Sequence, residues 1–276
     1  MSNKPTEMEI FLFDLRGYVV LKNALSQEEV AELNASLDAL PPIKKGEWYG
    51  YVHGHSFGKK DGLNLQQIYE AGEPFERLID HPSWIEKVKH FVGGEGGFDY
   101  HHGPLFIDEA FANYRGPGEA IGIHSGGHAH VKRTQFLYAD GKFHCGQIDI
   151  LIALTPMGPN DGTTMVIPGS HKSNFAHPDY GKHTIGEGGS VDAIEGAVEV
   201  HMEPGDALLF VDAICHGSAR RTNPGERRIV VYRYGPSWGN FRHGYAPSPE
   251  LLARLTPERR QIIQPNPLLK REPQVG

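Results

Sequence analysis

Pro204-Gly-Asp-Ala-Leu-Leu-Phe210-Val-Asp-Ala-Ile-Cys215-His216-Gly-Ser218 decides how this chain is read. A Pro-Gly-Asp turn opens an apolar run over 207–215, a strand signal, and the run ends on a histidine beside a glycine. Arg227 stands eleven residues after His216 and opens a second such segment, 227–235. Side chains alternate along a strand, so Arg227 and Arg228 are expected on opposite faces. Toward the N-terminus, segments 105–114, 131–139, 145–155, 163–167 and 197–202 have the same character, each bounded by Gly, Pro, Asn or Asp. Tyr138-Ala-Asp140-Gly141-Lys-Phe143 reads as a hairpin, because Asp-Gly supplies the positive φ angles of a tight turn. The 34 glycines and 20 prolines are dispersed among these runs, which means many turns between short strands.

Before about residue 98 the pattern is more helical. A helix-like piece from residue 8 leads into the β-rich run Gly17–Lys22. Ser26-Gln-Glu-Glu29 is a capping-box pattern; Val30, Leu33, Leu37 and Leu40 follow at helical spacing until Pro41-Pro42. Further helices are expected over 84–91, more weakly over 63–71, and near 248–262. The expectation is a mainly β fold with flanking helices, a double-stranded β-helix of the jelly-roll, cupin-like kind. It reads as a single domain over 1–276, with a helical part at about 8–95, a barrel at about 98–240 and a tail at 241–276.

Composition narrows the function classes. Lys and Arg number 27 against 34 Asp and Glu, a net charge of −7 without a basic run, so nucleic acid is not an expected partner. No apolar stretch approaches the roughly 18 residues of a membrane span, and the N-terminus lacks a secretory apolar region. Cys145 and Cys215 lie in apolar runs and read as small buried residues, which fits a reducing, cytoplasmic setting. Oligomeric state is not readable from the pattern.

The chemistry gathers around two histidines 92 residues apart, His124 in Ile-Gly-Ile-His124-Ser-Gly126-Gly and His216. A non-haem Fe(II) oxygenase uses His-x-Asp/Glu and a distant His, three ligands on one face of the metal. Here the acid position is Gly126.

Phe-x-x-x-Gly17-Tyr-Val-Val-Leu, Ile167-Pro-Gly-Ser-His171-Lys, Pro204-Gly-Asp-Ala-Leu-Leu-Phe210, His216-Gly-Ser218 and Arg227, in this order, resemble the phytanoyl-CoA dioxygenase family over about residues 10–240. The resemblance implies an Fe(II)- and 2-oxoglutarate-dependent oxygenase that uses O2 on a small-molecule substrate. It implies metal ligation by His124 and His216, 2-oxoglutarate held by Arg227 with Ser218, and a structural turn at His171. Arg227 carries the planar fork that matches a carboxylate. Asn113, Tyr114, Arg115 and Gln135 flank the His124 segment, and Asn113 and Gln135 are candidates for the C1 side of 2-oxoglutarate.

Gly126 leaves three readings open. A halide fills the missing carboxylate's position, as the resemblance to iron/2-oxoglutarate halogenases implies; chloride is then a further cofactor, and the product is halogenated. This is the leading one. Alternatively water, or Asp149 in Gln147-Ile-Asp149-Ile-Leu-Ile, takes the place and the enzyme hydroxylates; a charged residue amid Ile and Leu demands a partner. Asp212 is set aside, because four residues along one strand span about 13 Å. Third, the chain is an inactive ligand-binding jelly roll. His128 and His130 read as loop residues near the mouth, His128 facing substrate. Tyr51 and His53, in Trp48-Tyr-Gly-Tyr51-Val-His53-Gly-His55, are candidates for a substrate lid. Lys59-Lys60, Lys132-Arg133 and Arg220-Arg221 are candidate contacts for an anionic substrate.

Overall fold

The computed structural model describes residues 3–56, 62–93, 102–180, 194–239, 242 and 244–265. Lys59 and Lys60 lie outside them. In chain order the elements are α1 (Glu7–Arg16), β1 (Tyr18–Leu21), α2 (Gln27–Asp38), β2 (Trp48–Tyr49), β3 (Val52–His55), β4 (Leu63–Gln66), α3 (Glu73–Glu76) and α4 (Ile85–Val92). Then come β5 (Leu105–Arg115), β6 (Ile121–His124), β7 (Tyr138–Ala139), β8 (Lys142–Phe143), β9 (Ile148–Ala153), β10 (Thr164–Val166) and β11 (Val198–Val200). The order closes with β12 (Ala207–Val211), β13 (His216–Ser218), β14 (Arg227–Pro236), α5 (Pro249–Arg254) and α6 (Pro257–Ile263).

A major sheet runs β1-β12-β9-β14-β5-β4-β3-β2, and a minor sheet runs β11-β10-β13-β6. Together they are the expected double-stranded β-helix with helices along the outside. Strand alternation divides the interior into two layers. Ile148, Ile150 and Ile152 of β9 and Val230, Tyr232 and Tyr234 of β14 pack toward the helices. Leu151, Ala153, Ile229 and Val231 point between the sheets, where they meet Phe111, Val166, Leu208 and Phe210. Both faces of the central strands are covered, which is why these segments are almost uniformly apolar. The exceptions of the same parity, Asp149 on β9 and Arg227 and Arg233 on β14, therefore aim charge into the barrel.

The capping box of α2 forms as expected: Ser26 accepts from the Glu29 N–H, and Glu29 reaches back to the Ser26 N–H. Thr6 and Glu9 make a second one on α1. Two element expectations fail. Residues 63–71 are β4 followed by a short 3-10 turn at Ile68–Ala71, because Leu63–Gln66 pair with Tyr114–Phe111 of β5. Residues 131–139 hold a 3-10 turn at Lys132–Thr134 and only the two-residue β7, since Thr134 caps its own turn on Val131 O. The hairpin at 138–143 is present, with Asp140 and Gly141 both at positive φ.

His171 is a turn residue, as expected. It is buried, and its Nε2 donates to Asp14 O at 3.0 Å, tying the Pro-Gly-Ser-His turn to the end of α1. Gly17, at φ 85°, caps α1 against this ring: a Cβ there would sit 2.6 Å from His171 Nδ1. Gly17→Ala combines a left-handed alanine, about 1–2 kcal/mol, with that clash. A fall in melting temperature of at least about 2–4 °C, the shift expected per kcal/mol, is the predicted result in a thermal melt.

Candidate active site

His124 and His216 face each other across the minor sheet, their Cα atoms in register between β6 and β13. The ring centroids are 4.1 Å apart. Each Nδ1 lies against the carbonyl two residues back, Gly122 O at 3.1 Å and Ile214 O at 2.8 Å. A carbonyl only accepts, so each Nδ1 carries the proton and each Nε2 keeps a lone pair toward the barrel interior. Burial pushes the His216 pKa down to about 4 and that of His124 well below its usual value, despite the opposing charge of Asp212. Both rings are neutral at pH 7, as metal ligation requires.

The same strands line a cavity of about 110 Å³ between the sheets. Its walls are Phe111, Leu151, Phe210, Ile229 and Val231; its polar groups come from Asn64, Asn113, Thr164, Ser218, Arg227 and Arg233 with the two histidines. Arg227 lies at one end, 2% exposed. It donates through Nη2 to Asn113 Oδ1 at 2.8 Å and through Nη1 to Ser218 Oγ at 3.3 Å and to Gly162 O. Its Nε has no hydrogen-bond partner. Burial, with Arg115 and Arg221 nearby, lowers its pKa to about 9, which leaves it cationic at neutral pH. A buried cation with a donor to spare, among hydroxyls and amides, suits a carboxylate. Arg228 points outward to Asp38 and Glu226, as alternation requires.

Beside His216, behind the residues that line the cavity, stand two carboxylates. Asp149 and Asp212 are 0% and 1% exposed, and ligating atoms of these two and of His216 lie within 4.8 Å of one another. Strand length alone excludes Asp212, and the structure corrects this. β12 ends at Val211, and the turn closed by Ile214 N–H to Val211 O at 3.0 Å brings Asp212 back beside His216. Its Oδ2 accepts from Arg133 at 2.7 Å and from Ser125 Oγ at 3.3 Å, while Oδ1 has no hydrogen-bond partner. Burial raises its pKa, but Arg133, Arg233 and His216 outweigh that and the net shift is downward. Asp149 has no hydrogen bond to either oxygen; Arg233 Nε is 3.7 Å away. Burial lifts it to about 7 against the pull of Arg233.

The other candidate residues are spread over several places. A Cβ on Gly126 would lie 2.7 Å from His128 Nδ1 and 2.8 Å from Cys215 Sγ, so this position points into packed protein. Gln135 donates to His144 O at 2.9 Å and lines a separate pocket with Lys132 and Trp238, away from the histidines. Asn113 lines the cavity, where its Oδ1 accepts from Arg227. His128 packs edge-on against Tyr180, outside the cavity lining. Tyr51 and His53 belong to the hairpin β2–β3 at the sheet edge; Tyr51 is 41% exposed, and His53 stacks on Trp48 and meets Tyr245 Oη at 3.0 Å. Arg220 and Arg221 pair with Glu119 and Asp161. Arg233, Asn64 and Thr164 were missed, although Arg233 shares the parity of Arg227 on β14.

The phytanoyl-CoA dioxygenase (PhyH) family profile matches residues 13–229, and the chain belongs to this family of Fe(II)/2-oxoglutarate-dependent dioxygenases. Dioxygenase cdmD of Talaromyces verruculosus is 23% identical over 90% of this chain and 80% of its own length. The fold is shared with HygX from Streptomyces hygroscopicus, solved with nickel and 2-oxoglutarate bound (TM-score 0.70, 22% identity, 90% and 94% of the two chains). It is shared also with SnoN, a non-heme alpha-ketoglutarate-dependent epimerase (TM-score 0.57, 17% identity, 84% and 83%). Among the described residues no helix is long and apolar enough to cross a membrane.

Proposed function

We propose that this protein is an oxygenase that hydroxylates a C–H bond of a small molecule, with Fe(II) held by His124 and His216 together with a carboxylate from the Asp149–Asp212 pair. The observation carrying the reading is that pair, buried beside His216 with three oxygens lacking hydrogen bonds. Such carboxylates are costly unless a cation compensates them. His216 and these oxygens lie close enough to share one ion, the His124 ring is 4.1 Å from that of His216, and imidazole with carboxylate suits a divalent metal. Bound there, Fe(II) would supply O2 activation coupled to decarboxylation of 2-oxoglutarate to succinate.

The rest falls to the chain's own side chains. Arg227, steadied by Asn113 and Ser218, would anchor the distal carboxylate of 2-oxoglutarate and direct its other end toward the histidines. Phe111, Leu151, Phe210 and Val231 keep bulk water from the walls between. Small-molecule recognition has a parallel in HygX, which has also been solved with hygromycin B bound.

With one of these carboxylates as the third ligand, the metal would need no halide, and a Cβ at Gly126 would point toward His128 and Cys215. Succinate release from 2-oxoglutarate on addition of Fe(II) in halide-free buffer is therefore the expected result, with the same rate when chloride is added. Turnover that requires chloride would overturn the hydroxylase reading and favour halogenation.

A further inference from the structure

We propose that Asp212 is the third protein ligand of the metal, so that the triad takes its carboxylate from the turn before the second histidine rather than from the position after the first. The assignment rests on the Fe(II) reading above and makes it specific.

Asp149 and Asp212 approach the same histidine, but they are held differently. Asp212 has one anchored and one free oxygen: Oδ2 is fixed by Arg133 and by Ser125 Oγ, and Oδ1 is buried without a hydrogen bond. A carboxylate that binds metal through one oxygen needs its other oxygen oriented by such partners. Ser125 directly follows His124, so the anchor links the carboxylate to the loop carrying the first histidine. The Asp212 N–H donates to Gln147 O at 3.1 Å, which fixes the start of the turn to the strand opposite.

Asp149 has no comparable hold. Both of its oxygens lack hydrogen bonds, and its partner Arg233 at 3.7 Å is shared with Glu109 at 3.2 Å. It sits in mid-ladder opposite both Phe210 and Arg233, within the major sheet, whereas Asp212 lies on the turn leading into His216. Gly126 offers no competing position, because its Cβ direction is taken by His128 and Cys215.

The test is Mn(II) binding by equilibrium dialysis, which needs no turnover. Asp212→Asn is expected to weaken Mn(II) binding by roughly 100-fold or more, at or beyond the upper end of what loss of a supporting partner costs. Asp149→Asn removes a buried charge near the ion without removing the ligand, and should weaken binding far less than Asp212→Asn. Because either variant could misfold, a crystal structure of the wild-type protein with Mn(II) provides a second reading, with Asp212 Oδ1 expected in the coordination shell. A shell containing Asp149 instead, or the reversed pattern in the variants, overturns this assignment and leaves the oxygenase reading standing. Wild-type protein that binds no Mn(II) overturns both.

Discussion

Arg227→Leu should raise the KM for 2-oxoglutarate by about 30-fold to several thousand-fold, the equivalent of the roughly 2–5 kcal/mol lost when one partner of a buried, hydrogen-bonded charge pair is truncated. The size follows from burial. Arg227 is 2% exposed, so without it the distal carboxylate would be stranded in a low-dielectric pocket with the neutral Ser218, Thr164, Asn64 and Asn113 as polar neighbours. Leucine keeps an apolar body of moderate size on β14, so the strand's packing with β5 and β9 should survive. Arg227→Lys keeps the charge but loses the planar fork, and should fall between leucine and wild type. Arg228→Ala is the contrast: its side chain faces Asp38 and Glu226 on the outside and should leave the KM unchanged. Succinate release measured against 2-oxoglutarate concentration, with Mn(II) affinity as a check on the metal end, distinguishes these outcomes. A leucine variant with a nearly normal KM would mean that 2-oxoglutarate lies elsewhere.

The architecture was legible because strand alternation, Asp-Gly turns and capping boxes are local signals. Arg227 against Arg228 is the clearest example: the two-residue period puts them on opposite faces, and the eleven-residue spacing from His216 that the family resemblance carries picks Arg227 for the cavity. The histidine pair was legible through its glycine-flanked strand ends. Residues 63–71 depart from the helical expectation because Leu63 and Leu65 carry no strong local period, and cross-strand pairing with β5 decides the outcome. Asp212 was misjudged for a related reason. The apolar run 207–215 reads as continuous strand, but the strand stops at Val211, Asp212 and Ala213 form a turn, and the chain re-enters β structure at His216 in the other sheet. Distance along a strand is informative only while the strand lasts. Arg233 was open to discovery from parity with Arg227, yet its pairing with Asp149 and Glu109 depends on register between three strands. Register is a tertiary property, so no single segment records it.

Gly126→Asp sets two views of the site against each other. If Gly126 marks a coordination position that lost its carboxylate, restoring aspartate should preserve the fold and tighten metal binding. The backbone argues otherwise. Gly126 has φ 124° and ψ 143°, a region that side chains avoid, at a cost of order 1–3 kcal/mol. The new Cβ would also come within 2.8 Å of the Cys215 Sγ and of the His128 ring, and Cys215 immediately precedes His216. Relief of that clash has to move either the loop that follows His124 or the segment that leads into His216. The expected result is a melting temperature lower by several degrees, at about 2–4 °C per kcal/mol, together with weaker Mn(II) binding. A Gly126→Asp protein as stable as wild type with tighter Mn(II) binding would refute this and restore the glycine as a vacated ligand position. The glycine is better explained by geometry: a residue without Cβ lets the chain turn sharply after His124, and the carboxylate of Asp212 is then free to approach from the opposite sheet.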